Sequence, residues 1–152
     1  MKLSTKGRYG LRAIIDLARY SESEPVSISS IAARQDISER YLEQLVALLK
    51  KAGLVKSIRG ASGGYVLAKD INEISVGDVL RALEGDLEPV KCMAFEGEGG
   101  CSSQGECVTK YVWQRINESI NQTVDNMKLS ELVNESKVLN PYGEHNSRNC
   151  EN

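Results

Sequence analysis

Residues 26–70 read VSISSIAARQDISERYLEQLVALLKKAGLVKSIRGASGGYVLAKD. Ser27 can cap a short helix that carries Ile28, Ile31 and Ala32 on one side. Gln35-Asp36-Ile37 reads as a tight turn, and Ser38 can cap a second helix with Leu42, Leu45, Val46 and Leu49 as its apolar stripe. Glu39 sits near the positive end of that helix, Lys50 and Lys51 near its negative end, and Gly53 is a left-handed stop. A short helix, a tight turn and a longer helix make a helix-turn-helix. Val55 to Arg59 and Tyr65 to Leu67 then read as two strands joined by Gly60-Ala61-Ser62-Gly63-Gly64. A hairpin directly after the second helix is the wing of a winged helix-turn-helix.

Upstream, LRAIIDLARY follows Ser4 and Thr5, with Leu11, Ile14, Ile15 and Ala18 at helical spacing. Downstream, Ser75-Val-Gly-Asp78 is a capping box opening a short helix that runs to Glu84 and stops at Gly85. Val108, Val112, Ile116, Ile120 and Val124 recur every four residues, widened by Tyr111, Ser119, Thr123 and Met127, and predict a long amphipathic helix from near Glu106 to Asn126. That helix either lies on its own domain or pairs with a second copy. Pairing is preferred, because a lone winged domain reads a single half-site. The expected fold is mainly α with a small β-hairpin. The winged domain covers 1–84, a cysteine-rich loop 85–107, a dimerisation helix 106–128, and a C-terminal segment with a polar tail 129–152.

The net charge of −2 is unevenly spread. Residues 1–70 carry 12 Lys/Arg against 7 Asp/Glu, and residues 71–152 carry 7 against 14. A basic half beside an acidic half points to a polyanionic partner for the first. No apolar run is long enough for a membrane span and no signal-peptide pattern opens the chain. A cytoplasmic chain with reduced thiols is expected.

In a winged helix-turn-helix the second helix enters the major groove of double-stranded DNA by its N-terminal turn. Ser38, Glu39, Arg40, Glu43 and Gln44 face outward there. Arg can bond two guanine acceptors, Glu can accept from cytosine and Gln can pair with adenine. Tyr41, beside them, is either core or a phosphate contact. Arg59 is the long cation at a Gly-rich tip narrow enough for the minor groove. Lys2, Thr5, Lys6, Arg8 and Tyr9 are candidates to grip phosphates, which position without specifying.

Cys92, Cys101 and Cys107 sit in the Gly/Ser/Glu-rich stretch KCMAFEGEGGCSSQGEC, residues 91–107. Such a stretch cannot build a core, and Gly97, Gly99, Gly100 and Gly105 leave it free to wrap. Thiolates suit iron–sulfur clusters or zinc, although structural zinc usually draws on C-x-x-C pairs, which are absent. The spacing alone leaves cluster, zinc and no metal open. A thiol redox enzyme finds little support, since there is no C-x-x-C and a single His. No catalytic residue is assigned.

MKLSTKGRYGLRAI, SERYLEQL, LVKSIRGASGGYVL and the three spaced cysteines together resemble the IscR/NsrR/CymR family of bacterial winged-helix regulators, and most of all its iron–sulfur regulator branch. The resemblance spans roughly residues 1–135. It implies a homodimer with crossed long helices on a palindromic promoter site. It favours Ser38, Arg40, Glu43 and Arg59 as base-reading positions, with the position of Glu43 discriminating between operator types. It also implies that Cys92, Cys101 and Cys107 hold an iron–sulfur cluster, 2Fe–2S in preference to 4Fe–4S, in a repressor of cluster-assembly genes.

The chain departs from the family at the fourth ligand. Lys110 stands where the iron–sulfur branch has His, and Arg8 where the nitric-oxide-sensing branch has an acid. Protonated Lys and Arg are poor ligands. Glu106, a loop carboxylate, His145, Cys150 or a small exogenous molecule stay open. The alternative expectation is a cluster-free repressor of cysteine metabolism, partnered by cysteine synthase, since GASGGYVL also resembles that branch.

Overall fold

A computed structural model of the chain describes residues 3–91 and 105–143. Within them the order is α1 (Thr5–Tyr20), α2 (Ile28–Gln35), α3 (Glu39–Lys51), β1 (Val55–Ile58), β2 (Gly64–Leu67), α4 (Val76–Glu84), α5 (Thr109–Asn126) and α6 (Leu129–Leu139). The fold is mainly helical with one two-stranded hairpin, as the sequence predicts.

Serines start four of the helices. Ser4, Ser27, Ser38 and Ser75 each turn a side-chain oxygen back to a first-turn N–H, of Lys6, Ser30, Tyr41 and Asp78 respectively. Each such cap is worth about 1 kcal/mol. At α4 the box closes from both sides, since the Ser75 N–H also donates to the Asp78 carboxylate at 2.9 Å. Between α2 and α3 the turn is made by Asp36 at φ 51°, the left-handed region that short polar residues tolerate best after glycine. Ile37 then tucks inward and Ser38 restarts the chain as a helix.

One core joins these elements. Ile14 and Leu17 of α1, Ile31 of α2, Leu42, Leu45 and Leu49 of α3, and Val79 of α4 are all buried, along with Ile74 before it. Leu129 and Val133 of α6 lie in the same core. No helix is predicted over 129–139, because only Leu129, Leu132 and Val133 carry its buried face and the flanks are polar. The helix exists because the chain returns from α5 beside α4: Val76 N–H donates to Met127 O and Leu129 N–H to Ile74 O, both at 2.9 Å.

The wing pairs Val55 with Leu67 and Ile58 with Gly64, antiparallel. The strands stop one residue short of Arg59 and begin one residue before Tyr65, a difference of one position at each end. Val26, ahead of α2, adds a bridge: its N–H and C=O exchange hydrogen bonds with Tyr65 at 2.9 and 2.8 Å. A Cβ at position 64 would stand 2.6 Å from the Val26 carbonyl, so glycine there is a condition of the wing docking on the helix-turn-helix.

Helix α1 meets α4 at very close range. Any side chain at Gly10 would overlap Leu83, and one at Gly7 would meet the Glu84 carboxylate. Glu84 uses that proximity to close the start of α1, accepting from Gly7 N–H and Ser4 N–H at 2.9 Å and from the Ser4 hydroxyl at 2.7 Å. Burial alone would raise the Glu84 carboxyl, but the Ser4 hydroxyl, those two N–H groups and the Lys6 charge outweigh it and hold it below its usual value.

Candidate nucleic-acid interface and cysteine-bearing connection

The two faces of α3 differ sharply. Leu42, Leu45, Val46 and Leu49 are buried, whereas Arg40, Glu43, Gln44 and Ala47, at i, i+3, i+4 and i+7, are all exposed. Ser38 and Glu39 lie exposed at the helix start, and Ser38 uses its oxygen as the cap. The structure thus brings Ser38, Arg40, Glu43 and Gln44 onto one solvent-facing side, fixed by a buried stripe behind it.

Thr5, Tyr9 and Tyr41 come together although Tyr41 is 36 positions from Thr5. The Tyr41 hydroxyl lies 3.3 Å from Thr5 Oγ1, and the Tyr9 and Tyr41 rings meet edge to face at 6.1 Å. Both rings pack partly against the core, so Tyr41 combines the two roles its sequence position leaves open: a ring in the packing, a hydroxyl at the surface. Thr5, Lys6 and Arg8 are exposed beside it. Lys2 lies outside the described residues.

Arg59 is exposed at the mouth of the wing tip. Gly60 at φ 121° and the Gly63 N–H to Gly60 O bond, 3.0 Å, turn the tip back on itself. Lys50, in the last turn of α3, donates to the Ser57 hydroxyl at 2.9 Å and ties α3 to β1. The site therefore has three contiguous parts: the α1 start, the exposed side of α3 and the wing.

Behind it lies an ionic network that sequence reasoning missed. Asp16 of α1 is buried and receives Arg34 Nε at 3.0 Å and Nη2 at 2.7 Å, with Gln35 Nε2 at 2.8 Å. Arg34 also lies over the Tyr20 ring, 4.1 Å from its centroid. This locks α2 to α1. The available signal is Asp16 itself, a carboxylate within the apolar stripe of LRAIIDLARY, which demands a buried partner.

Of the three cysteines, Cys107 is within the described residues; Cys92 and Cys101 lie outside them, as do His145 and Cys150. Cys107 is half-buried just ahead of α5, with the Thr109 hydroxyl 3.1 Å from its sulfur. That hydroxyl, the Lys110 and Thr109 N–H groups and the Lys110 charge lower the thiol below its usual value. A half-buried cysteine just ahead of a helix is a fitting soft ligand. Glu106 is exposed next to it. Helix α5 begins at Thr109, three residues later than predicted, because the chain over Cys107 and Val108 makes tighter turns: Lys110 N–H to Cys107 O and Tyr111 N–H to Val108 O.

Helix α5 has no buried residue. Ile120 and Val124 pack partly against Val76, Leu80 and Leu87, while Val108, Tyr111, Val112, Ile116 and Met127 stay exposed. No helix among the described residues is long and apolar enough to cross a membrane.

A wing docked on a capped reading helix defines a winged helix-turn-helix DNA-binding protein. A family model described as an iron-dependent transcriptional regulator, Rrf2, matches residues 3–135. The chain belongs to the Rrf2 family, and its role is regulation of transcription rather than catalysis. It is 41% identical over 143 residues to the HTH-type transcriptional regulator IscR of Klebsiella pneumoniae (strain 342), covering 94% of this chain and 86% of that one. Among solved structures it resembles T. potens IscR, with 44% identity, TM-score 0.73 and coverage of 92% and 91%. It also resembles CymR, the global cysteine regulator of B. subtilis, with 43% identity, TM-score 0.71 and coverage of 89% and 98%.

Proposed function

We propose that the protein is a homodimeric, cytoplasmic, iron–sulfur-cluster-sensing regulator. In this reading it represses cluster-assembly genes by binding palindromic promoter DNA. The observation that carries this is the placement of Cys107: a thiol lowered in pKa stands just ahead of a long helix whose apolar residues Val112 and Ile116 are exposed. Likeness to regulators named IscR and to an iron-dependent family supports it. Cys92, Cys101 and Cys107 would hold the cluster, 2Fe–2S in preference to 4Fe–4S, and its ligation state supplies the chemical signal.

The chain's own residues carry that signal onward. Ser38, Arg40, Glu43 and Gln44 read base edges, Arg59 enters the minor groove, and Lys2, Thr5, Lys6, Tyr9 and Tyr41 position phosphates. A second copy covers Val112 and Ile116 on α5, which sets the spacing of two reading helices. Ordering backbone costs about 1–2 kcal/mol per residue, so cluster ligation must outweigh that cost and still favour one state by the roughly 5.5 kcal/mol that a full two-state switch requires.

Likeness to CymR favours a second reading, a cluster-free repressor of cysteine metabolism partnered by cysteine synthase. Anaerobic purification followed by an absorption spectrum separates the two. Visible charge-transfer bands lost in Cys92→Ala, Cys101→Ala and Cys107→Ala variants are expected. A colourless protein that binds operator tightly even after iron and sulfide reconstitution would reject the cluster. His145→Ala and Cys150→Ala spectra assign the fourth ligand.

A further inference from the structure

A cavity of about 280 Å³ opens between α1, α2 and the end of α6, away from the reading side of α3. Three arginines line it: Arg12 and Arg19 from α1 and Arg34 from α2. Asp16 is the single carboxylate among the described lining residues, and it is already taken by Arg34 and Gln35. Among the described residues, the acceptors that Arg12 and Arg19 reach are neutral. Arg12 donates through Nε and Nη2 to Gln35 Oε1 and O, at 3.2 and 2.6 Å. Arg19 donates through Nη1 to Ser136 O at 2.9 Å and through Nη2 to Asn140 O.

Both guanidiniums also lie over tyrosine rings. Arg12 lies 5.3 Å from the Tyr9 ring centroid, and Arg19 lies 5.3 Å from that of Tyr20. Arg34 also lies over the Tyr20 ring, 4.1 Å from its centroid. Planar forks held by stacking and side hydrogen bonds are preorganised, and a fork matches the two oxygens of a carboxylate or phosphate. Two positive charges thus face one small cavity with Nη1 of Arg12 and Nε of Arg19 unpaired among the described residues.

We propose that this cavity binds a small dianion, the shared chemistry being an oxyanion of the dicarboxylate or phosphate class. Its volume, at the lower edge of small-molecule pockets, suits a compact occupant of roughly ten heavy atoms or fewer. An occupant would bridge α1, the first helix of the helix-turn-helix and the end of α6, so its presence is read as stability of the whole domain.

The test is the melting temperature of the full chain in inorganic phosphate or malonate, against chloride at matched ionic strength. A rise of about 3 °C or more at saturation is expected with at least one probe. Phosphate alone giving the rise assigns the phosphate class, malonate alone the dicarboxylate class. Arg12→Gln/Arg19→Gln abolishes the rise, and Arg115→Gln on α5 preserves it. No rise with either probe, or a rise that persists in the double variant, would overturn the site and leave the arginines as caps of α2 and α6. Should the double variant fail to fold, Arg12→Lys keeps the charge but loses the fork. It is expected to weaken the probe's Kd at least tenfold, and an unchanged Kd would equally overturn the proposal.

Discussion

Arg81 of α4 grips Asp125 of α5 through Nη1 and Nη2, at 2.7 and 2.9 Å, and Nη2 also donates to Asn121 Oδ1, one turn earlier, at 2.6 Å. The pair holds Asp125 below its usual carboxylate range, first through the hydrogen bond and then through charge. It lies at the junction of the two helices that flank the cysteine-bearing connection. Gly77 gives it room, since a Cβ there would run into the Asp125 carboxylate.

Arg81→Gln is expected to cost little stability, about 0.2–1 kcal/mol, because both partners are partly exposed. Its larger effect falls on coupling. The ratio of operator affinities between cluster-loaded and cluster-free protein should shrink severalfold, and Asp125→Asn should shrink it without adding to Arg81→Gln. Operator titrations on the two singles and the double check this. An unchanged ratio would remove the α4–α5 clamp from the route.

Glu84 closes the start of α1, and its lowered pKa has a defined consequence for pH. The stabilisation is complete above the carboxylate's unfolded value and is lost as pH falls through the lowered folded value. Glu84→Gln should therefore lose about 1 kcal/mol near neutrality and little in acid, where the parent has already lost it. Denaturant unfolding of both proteins across the acid range checks the sign; a difference that grows in acid would contradict it.

Gly10 is required by contact with Leu83 rather than by its backbone. Gly10→Ala should destabilise by about 1–3 kcal/mol through overpacking. Leu83→Ala in the same chain should relieve part of that cost. Equal, additive losses in thermal unfolding would show that α1 and α4 do not meet so closely.

Arg59 and Glu43 are expected to fail differently on DNA. Arg59→Ala should weaken operator binding by about 1–3 kcal/mol and reduce the salt dependence. Glu43→Ala should leave affinity for one operator nearly intact while relaxing discrimination at a cytosine, the base whose amino group a Glu can accept from. Mobility-shift titrations on operator and base-changed operator separate the two; parallel losses on all sequences would demote Glu43 to a surface residue.

Local chemistry made most of the DNA-reading domain legible. Ser27, Asp36, Ser38 and the Leu42–Leu49 stripe fix the helix-turn-helix through capping, a left-handed turn and helical periodicity, all properties of adjacent residues. Gly64 could be read as a turn residue, but its reason, the approach of Val26, is a contact between segments 38 positions apart that no local pattern encodes. Helix α6 was hidden for a similar cause: its stability comes from Leu129 and Val133 entering a core made by α1 and α4. The network around Asp16 left a trace, a charge in an apolar stripe, but not the identity of Arg34 and Gln35 as partners.

Operator affinity measured on one anaerobic preparation, before and after removal of its iron by chelation, tests whether the cysteines control the reading helix. A change of at least tenfold, about 1.4 kcal/mol of coupling, is expected in the parent protein and absent from Cys107→Ala. Equal affinities for the loaded and the stripped protein would contradict cluster control and leave a DNA-binding regulator governed by something else.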